Sequence, residues 1–371
     1  MLFQKKRRTK TWAALPIFLL PLPAYVFFLF FRQSAQIDTY RAGYAVTPCL
    51  TIEQGREYWA KPNCAGLSEV GESKAWVQFN DVGLRGKNYP PKAPPGISRI
   101  LFFGSSNTLG VGIEEEETIP RRLEAELHQR GVRVEVINAA MVGYCSIQTS
   151  FRFRELVERY SPQIILYQFT HGTCPIFDGA WEDRVIKSPD GEPLRFDRTP
   201  LPIAPAALNS FIYQSPTLFF LWLTLADQVR KIKFTRKVVS ASGSKEELEI
   251  LSAPSLRVFS YMKEIALAHE AEFALTSFPM GISQQTVPRQ MYQGLASIFA
   301  RLFPKLGEID SGMVADRYRA EGFPFLLVQF PSRRYQFPGD EHLNPEGAKI
   351  FSRKLALQLL DRKSTRLNSS H

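Results

Sequence analysis

The sequence predicts an α/β domain in three layers, with helices on both faces of a central, mostly parallel sheet. Three observations support this fold. Apolar runs short enough to be strands alternate with segments whose apolar residues have helical spacing. The order strand, helix, strand, helix, strand occupies residues 98–170 without interruption, and the alternation resumes after residue 252. Apolar residues make up 44% of the chain, which excludes a largely disordered or fibrous protein.

The first half of the pattern contains three predicted strands and two predicted helices. Thr118 suits the cap of the first helix, and Pro120 lies in its first turn. Because ligands of such sheets bind beyond the carboxyl ends of the strands, we expect the loops that begin at Gly104, Asn138 and Thr170 to meet at one site. The strands are Ile100–Phe103, Val132–Ile137 and Ile164–Phe169, and the helices are Thr118–Arg130 and Ile147–Tyr160.

Residues 175–252 interrupt this pattern and predict a helical insertion over the site. Phe219–Leu223 are too few to cross a bilayer, so we expect them to be buried against the domain, with a position on the membrane surface as the alternative. Beyond the insertion, Asn344 is a good cap for a last helix with Pro345 in its first turn. The other predicted elements are the helices Leu256–Glu270 and Thr286–Phe303 and the strands Glu272–Phe278 and Phe325–Phe330.

The N-terminus has the pattern of a membrane anchor. Residues 1–11 contain five basic and no acidic side chains, and Trp12–Phe31 contains no charge. A helix of that length spans about 30 Å, the thickness of the hydrocarbon core of a bilayer. We therefore expect residues 1–11 in the cytoplasm and the chain after Arg32 across the membrane; a cleaved signal peptide is the alternative. Residues 33–97 are interpreted as an irregular leader that ends in a Pro-rich linker.

The net charge of +10 is concentrated at the two ends of the chain. Residues 1–11 carry +5 and residues 361–371 carry +2, which leaves +3 for residues 12–360. The basic composition is therefore a signal of membrane topology and does not predict nucleic-acid binding. Residues 361–371, DRKSTRLNSSH, match the in-frame translation of a short-read sequencing adapter; we interpret them as an artefact, outside the α/β domain at 98–360.

The four cysteines fit a protein of an oxidising compartment. Cys49 and Cys64 are close enough along a loop-rich stretch for a disulfide to be one outcome. Cys145 and Cys174 each follow a predicted strand; we expect them to be free buried thiols, with a disulfide as the alternative. The sequence contains no CxxC motif and no array of Cys and His, so no metal site and no cofactor is predicted.

Three polar residues have the pattern of a catalytic triad. Ser106 lies on the turn directly after the first strand, where Gly104 permits a tight bend. Asp340 and His342 lie together in the loop before the last helix, so that the carboxylate is within reach of the imidazole. Asp340 would fix the tautomer of His342 while the imidazole takes a proton from Ser106. A serine that follows a strand is also a common helix cap, which is the alternative for Ser106.

The chain resembles, in four ordered blocks, the SGNH (GDSL-type) hydrolase superfamily. The blocks are GSSNTLGVGIEEEETIPRRLEAEL, VINAAMVGYCSIQ, SPQIILYQF and GDEHLNPEGAKIF, and NDVGLRG resembles the leader of membrane-anchored bacterial members. The likeness covers residues 50–175 and 335–360. It implies a flavodoxin-like sheet and a single-pass protein of the bacterial inner membrane with an extracytoplasmic domain. It also implies an esterase, deacylase or acyl transferase that acts on an acylated small molecule or polysaccharide of the envelope, such as an O-acetylated glycan.

The resemblance also assigns roles to residues of this chain. Ser106 matches the nucleophile, Asp340 the acid and His342 the base of the family. The backbone N–H groups of Ser106 and Gly143 match its oxyanion hole, which stabilises the negative charge of the tetrahedral intermediate.

Two positions depart from the family pattern. Ser105 replaces the acid of the Gly-Asp-Ser turn, and the oxyanion Asn of the third block falls on Gly172 or Cys174, neither of which is an amide. Losing one such donor typically costs about 10²–10³ in rate. The alternative function is therefore a degenerate domain that binds a glycan or a protein during polysaccharide assembly. The other residues expected to line the site, as substitutes for this donor, are Asn107, His171 and Thr173.

Overall fold

The computed structural model describes residues 49–53, 57–170, 174–197, 205–214, 216–241, 244–278 and 310–368. The chain divides into two compact units: residues 41–198 with 226–371, and residues 1–40 with 199–225. The cytoplasmic segment 1–11, the anchor Trp12–Phe31 and the predicted helix Thr286–Phe303 lie outside the described residues, so these stay predictions. Within the described ranges, no helix is both long and apolar enough to cross a membrane.

Strands and helices alternate along the described residues. The strands are β1 (Leu50–Glu53), β2 (Glu57–Ala60), β3 (Ala65–Val70), β4 (Ser73–Gln78), β5 (Ser98–Phe103), β6 (Val134–Asn138), β7 (Ile164–Gln168), β8 (Val185–Lys187), β9 (Pro193–Phe196), β10 (Glu272–Ser277) and β11 (Phe325–Leu327). The helices are α1 (Ser106–Leu109), α2 (Ile119–His128), α3 (Ser146–Tyr160), α4 (Cys174–Trp181), α5 (Ala206–Gln214), α6 (Pro216–Val239), α7 (Ser244–Ala268), α8 (Ser311–Ala320) and α9 (Pro345–Asn368). Short 3₁₀ turns lie at Glu115–Glu117, Glu182–Arg184 and Ser332–Tyr335.

The main sheet is parallel and has the strand order β11-β10-β7-β5-β6. This is the order of flavodoxin-like sheets, in which the chain changes direction across the sheet after its first two strands. The switch point therefore lies between β5 and β7, and in such sheets ligands bind beyond the carboxyl ends of the strands at this point. The predicted parallel α/β sheet is confirmed, although β11 ends at Leu327, earlier than predicted.

Strand β5 shows how the three layers are held together. Leu101 and Phe103 belong to one hydrophobic core, and Ile100 and Phe102 belong to a second core on the other face of the sheet. Burying a side chain of this size contributes about 1.5–3 kcal/mol, so β5 is fixed from both sides. The facing helices contribute Phe153 of α3 and Phe259 of α7 to the first core, and Leu123 of α2 and Phe351 of α9 to the second.

Both predicted helix caps are present. The Thr118 Oγ1 atom accepts a hydrogen bond from the Arg121 N–H at 3.4 Å, at the start of α2. The Asn344 Oδ1 atom accepts one from the Gly347 N–H at 2.9 Å, at the start of α9. Each bond satisfies a backbone donor that has no partner inside its helix.

The interpretation of residues 33–97 as irregular is wrong for the described part of this range. Two antiparallel hairpins, β1–β2 and β3–β4, precede the main sheet. A two-stranded hairpin is marginal by itself. Here Val70 and Val77 enter the larger core, and Ser68 Oγ accepts a hydrogen bond from the Gly112 N–H at 3.1 Å. The stabilisation comes from contacts with a later part of the chain, which periodicity within the leader does not reveal.

The insertion is only partly the predicted helical segment. α4, α5 and α6 are helical, but β8 and β9 form an antiparallel hairpin between α4 and α5. Helix α7 begins at Ser244, well before the predicted Leu256, and continues through Pro254. The side chains of Phe219–Leu223 lie outside the described residues, so their burial and the position of the insertion over the site stay predictions.

A buried carboxyl group joins three helices beside the sheet. Asp178 of α4 accepts hydrogen bonds from Ser146 Oγ of α3 at 2.5 Å, from Ser255 Oγ of α7 at 2.7 Å and from the Ile147 N–H at 3.2 Å. Burial raises the pKa of Asp178 to about 6, although these hydrogen bonds act in the opposite direction. The folded state therefore favours the protonated form of Asp178 over the charged form.

This raised pKa predicts that Asp178 lowers the stability of the protein as the pH rises. The unfolded carboxyl ionises near 3.8 and the folded one near 6, so between these values the folded state binds more protons. Its contribution to the free energy of unfolding then falls with pH, by up to about 3 kcal/mol. Chemical denaturation of wild type and Asp178→Asn from pH 4 to 8 measures this difference.

Asp340 changes the free energy of unfolding in the opposite direction because its pKa is lowered, and it does so below the pH range of the Asp178 effect. The contribution of Asp340 is the same in wild type and in Asp178→Asn, so the difference between the two curves does not contain it. The exposed variant Asp183→Asn is the matched control. A stability difference between wild type and Asp178→Asn that does not change with pH would contradict the assignment.

Candidate active site

The turn after β5 presents Ser106 at the carboxyl edge of the sheet. β5 ends at Phe103, and Ser106 is the first residue of α1. A Cβ atom at position 104 would lie 2.3 Å from Thr108 Oγ1, so Gly104 is required for the backbone to turn this tightly. Ser106 is half-buried, and its N–H lies at the first turn of a helix, where it has no partner within the helix. Ser105 caps α1 without a side-chain hydrogen bond.

The loop before α9 holds the imidazole of His342 against a carboxylate. His342 Nδ1 lies 2.5 Å from Asp340 Oδ1, and the same oxygen accepts the His342 backbone N–H at 2.8 Å. Burial acts to raise the pKa of Asp340, but the hydrogen bonds and charge of His342 outweigh it and hold that pKa below its usual value. A charged Asp340 places the proton of the neutral imidazole on Nδ1, which makes Nε2 the basic nitrogen.

One hydrogen bond brings the His342 loop to the Ser106 turn. Asn107 Oδ1 accepts the Leu343 N–H at 2.8 Å, and both groups are buried. Asn107 follows Ser106 and Leu343 follows His342, so this bond joins the neighbours of the two reactive residues across 236 positions of the chain. The structure therefore places the loop of Asp340 and His342 beside the turn of Ser106, and the catalytic roles of the three residues stay predictions.

The turn after β6 carries Gly143 toward the same edge. Gly143 is exposed and has φ of +70°, and a Cβ atom there would lie 2.6 Å from Tyr58 Oη. Tyr58 donates its hydroxyl hydrogen to the carbonyl of Val142. The Met141 N–H donates to the Gly104 carbonyl at 3.2 Å, which attaches this turn to the Ser106 turn. Both parts of the expected oxyanion hole thus lie on connected loops.

The expectation of free thiols at Cys145 and Cys174 is wrong, because these residues form a disulfide with a Cα–Cα distance of 5.0 Å. Cys145 caps α3 directly after the Gly143 turn, and Cys174 begins α4 after β7. The strands β6 and β7 release both cysteines at the same edge of the sheet, a proximity that spacing along the chain does not show. Cys174 is consequently unable to replace the missing oxyanion donor. Cys49 and Cys64 also form a disulfide, with a Cα–Cα distance of 5.4 Å.

The remaining candidate donors have different outcomes. Asn107 uses its carbonyl oxygen to hold Leu343, as described above. His171, Gly172 and Thr173 lie outside the described residues, so their place in the site stays a prediction. Among the described residues, no group of His, Cys, Asp and Glu is arranged to hold a metal ion.

Sequence reasoning missed two residues that support the Ser106 turn. Asn138, the last residue of β6, donates from Nδ2 to the carbonyls of Thr108 and Leu109 at 3.1 and 3.2 Å. Arg85, in the leader, binds the same end of α1. The only signal in the sequence was the place of these residues in the blocks VINAAMVGYCSIQ and NDVGLRG, which by itself assigns no role.

Comparisons with known proteins do not establish a family for this chain. No family model and no curated protein matches the chain. Similar solved structures include a GDSL-like lipase from Bacteroides thetaiotaomicron, with 15% identity, 72% of this chain and 89% of that chain covered, and a TM-score of 0.35. The esterase EstA from Pseudoalteromonas has 13% identity, coverages of 73% and 99%, and a TM-score of 0.34.

A catalytic mutant of Axe2, an acetylxylan esterase from Geobacillus stearothermophilus, has 12% identity, coverages of 70% of this chain and 92% of that chain, and a TM-score of 0.32. Identities and TM-scores this low carry no information on chemistry. We therefore take the chemistry of the site from the residues of this chain alone.

The bond between Asn107 and Leu343 predicts that Asn107→Leu separates the two halves of the site. Leucine keeps the volume of the side chain but has no acceptor for the Leu343 N–H, and a misplacement of about 1 Å is able to cost about 10² in rate. We expect a fluorophosphonate probe to label Ser106 about 10- to 100-fold more slowly in this variant. Gln163→Met also removes an amide oxygen that accepts a backbone N–H, that of Arg99 at 2.6 Å, but at the end of β5 remote from Ser106, and it is the control for general loss of stability. Equal labelling rates in wild type and Asn107→Leu would contradict the assigned role.

The two disulfides predict a difference between stability and reactivity. Each disulfide closes a loop of the chain, and its removal lowers the free energy of unfolding by about 3–4 kcal/mol. We expect both double serine variants, of Cys145 with Cys174 and of Cys49 with Cys64, to show this loss in chemical denaturation. Only the first pair adjoins the Gly143 turn, so only its removal is expected to slow labelling of Ser106. Equal labelling of the two double variants would show that the Cys145–Cys174 bond has no part in the site.

Proposed function

We propose that this protein is a membrane-anchored, extracytoplasmic serine esterase of the SGNH type, which removes or transfers an acyl group of an envelope component such as an O-acetylated glycan. The observation that carries the proposal is the contact between the His342 loop and the Ser106 turn. His342 is bonded to Asp340 through Nδ1, and its neighbour Leu343 is bonded to Asn107, next to Ser106. The base and its orienting acid thus lie beside the turn of the nucleophile, as a mechanism with these three groups requires.

The proposed reaction proceeds in two acyl-transfer steps. Ser106 Oγ attacks the ester carbonyl while His342 Nε2 takes its proton, and the N–H groups of Ser106 and Gly143 bind the oxyanion. The C–O bond to the leaving alcohol breaks as His342 returns the proton to that alcohol. Asp340 stabilises the transient imidazolium and remains ionised, which its lowered pKa favours. Water or a second hydroxyl group then attacks the acyl-enzyme by the same route, which gives hydrolysis or transfer.

Two features support the proposed location and substrate class. Residues 1–31 have the charge and length of a single-pass inner-membrane anchor with its basic end in the cytoplasm. Both pairs of cysteines form disulfides in the structure, which is typical of proteins outside the cytoplasm. A domain in this position meets the acylated glycans of the envelope.

One observation favours a second function. The family resemblance expects an oxyanion amide at Gly172 or Cys174: Gly172 has no side-chain donor and lies outside the described residues, and Cys174 is held in a disulfide. A domain that had lost this donor would keep its crevice and bind an acylated glycan or a partner protein without turning it over.

Replacement of Ser106 separates the two functions. We expect a serine-directed fluorophosphonate to label wild type but not Ser106→Ala, and hydrolysis of p-nitrophenyl acetate to fall by at least about 10³ in Ser106→Ala. Ser105→Ala tests the adjacent hydroxyl, and labelling is expected to persist in it. Release of acetate from O-acetylated polysaccharide then tests the substrate class. If the wild-type protein binds that polysaccharide but does not react with the probe, the result supports the binding module and refutes the esterase.

A further inference from the structure

Arg85 is the most deeply buried cation near the site. Its side chain has 0% exposure, and its guanidinium contacts residues 109–115, the segment that follows Ser106. Nη1 donates to the carbonyls of Leu109 and Gly110, the first at 2.9 Å, and Nη2 donates to the Ile113 carbonyl at 2.7 Å. Nε donates to Glu115 Oε2 at 2.9 Å, which pairs the charge.

Two of these acceptors, the carbonyls of Leu109 and Gly110, lie at the carboxyl end of helix α1, which is unable to satisfy them by itself. α1 has a single turn, Ser106–Leu109, so nearly all of its carbonyls lack a partner within the helix. The chain leaves it through Gly110, which has φ of +87°. A cation at the end where helix carbonyls accumulate is favourable, and a planar guanidinium reaches several carbonyls at once where an ammonium would not.

The contacts also restrict the direction of α1. Asn138 holds the carbonyls of Thr108 and Leu109 from β6, and Arg85 holds those of Leu109 and Gly110 from the leader. Because a one-turn helix has little stability of its own, these two side chains contribute to its orientation, together with the bonds of Asn107 to Leu343 and of Thr108 to Gln168. Ser106 begins the helix, so the orientation of α1 determines where Ser106 Oγ points.

We propose that Arg85 is a positioning residue for Ser106: its guanidinium holds the carbonyl end of α1 and thereby aims the nucleophile at His342. Arg85 touches no substrate and acts only through α1. The inference rests on the proposed serine chemistry, but its structural part, the ordering of α1, is measurable without it.

The chain contains a matched control in Arg99. Its side chain is also fully buried, it is also paired with a glutamate, Glu135 at 2.7 Å, and it also donates to backbone carbonyls. Arg99 lies at the start of β5, the end of the strand remote from Ser106. Replacing Arg85 or Arg99 by lysine therefore makes the same chemical change in two equally buried places, only one of which adjoins the nucleophile.

The test compares Arg85→Lys with Arg99→Lys at a temperature well below the unfolding transition of either. We expect Arg85→Lys to lower the labelling rate by fluorophosphonate and the kcat for p-nitrophenyl acetate by about 10- to 100-fold, without a change in KM. Arg99→Lys is expected to remain within about threefold of wild type after correction for the folded fraction. Equal rates in the two variants would overturn the positioning role.

Hydrogen–deuterium exchange supplies a readout that does not depend on activity. The amides of Leu109, Gly110 and Val111 donate to carbonyls of Ser105 and Ser106 and so report on α1. We expect their exchange to accelerate at least about tenfold in Arg85→Lys and to be unchanged in Arg99→Lys. If Arg85→Lys does not fold, Glu115→Gln removes the charge that pairs Nε and is expected to move both readouts in the same direction. Failure of wild type to be labelled would refute the esterase, whereas unchanged exchange in Arg85→Lys or Glu115→Gln would refute the role of Arg85.

Discussion

Burial of the Arg85 guanidinium obliges the beginning of the described chain to fold against the α/β domain. A guanidinium without acceptors in a protein interior is strongly unfavourable, so its N–H groups must meet carbonyls or a carboxylate. The acceptors available are those of α1, the following loop and Glu115. The leader thus completes the Ser106 turn, and the one-turn helix obtains partners for carbonyls that would otherwise be unsatisfied.

The site is assembled from loops that the parallel sheet brings to one of its edges. Its strand order places the switch point between β5 and β7, so the turn that bears Ser106 opens into the crevice where such sheets bind ligands. His342 lies in a loop far along the chain, and the Asn107–Leu343 bond holds that loop beside the Ser106 turn. The geometry of the proposed triad therefore depends on a bond between the Asn107 side chain and the Leu343 backbone as much as on the three side chains themselves.

A second set of contacts holds the Gly143 turn and the helices next to it. The Cys145–Cys174 disulfide ties the Gly143 turn to the start of α4. Asp178 lies four residues after Cys174, and its buried hydrogen bonds connect α4 to the start of α3 and to the middle of α7. A covalent bond and a buried carboxyl group thus secure the loop that carries the expected oxyanion donor, at some cost in stability when Asp178 ionises.

The sequence alone determined the elements with strong local signals. Apolar periodicity predicted the strands of the parallel sheet, Thr118 and Asn344 predicted their helix caps, and the spacing of Asp340 and His342 predicted their contact. These predictions succeeded because propensity, capping and a two-residue spacing act within a few residues of one another.

The tertiary structure decided what depends on contacts between distant parts of the chain. It made hairpins of the leader, paired Cys145 with Cys174, and gave Arg85 and Asn138 the carbonyl end of α1. A buried arginine, a cysteine pair or a polar strand end has the same local appearance whether or not its partner lies nearby. Only the packing of the sheet and its helices, which is set by burial of apolar surface over the whole domain, brings those partners within reach.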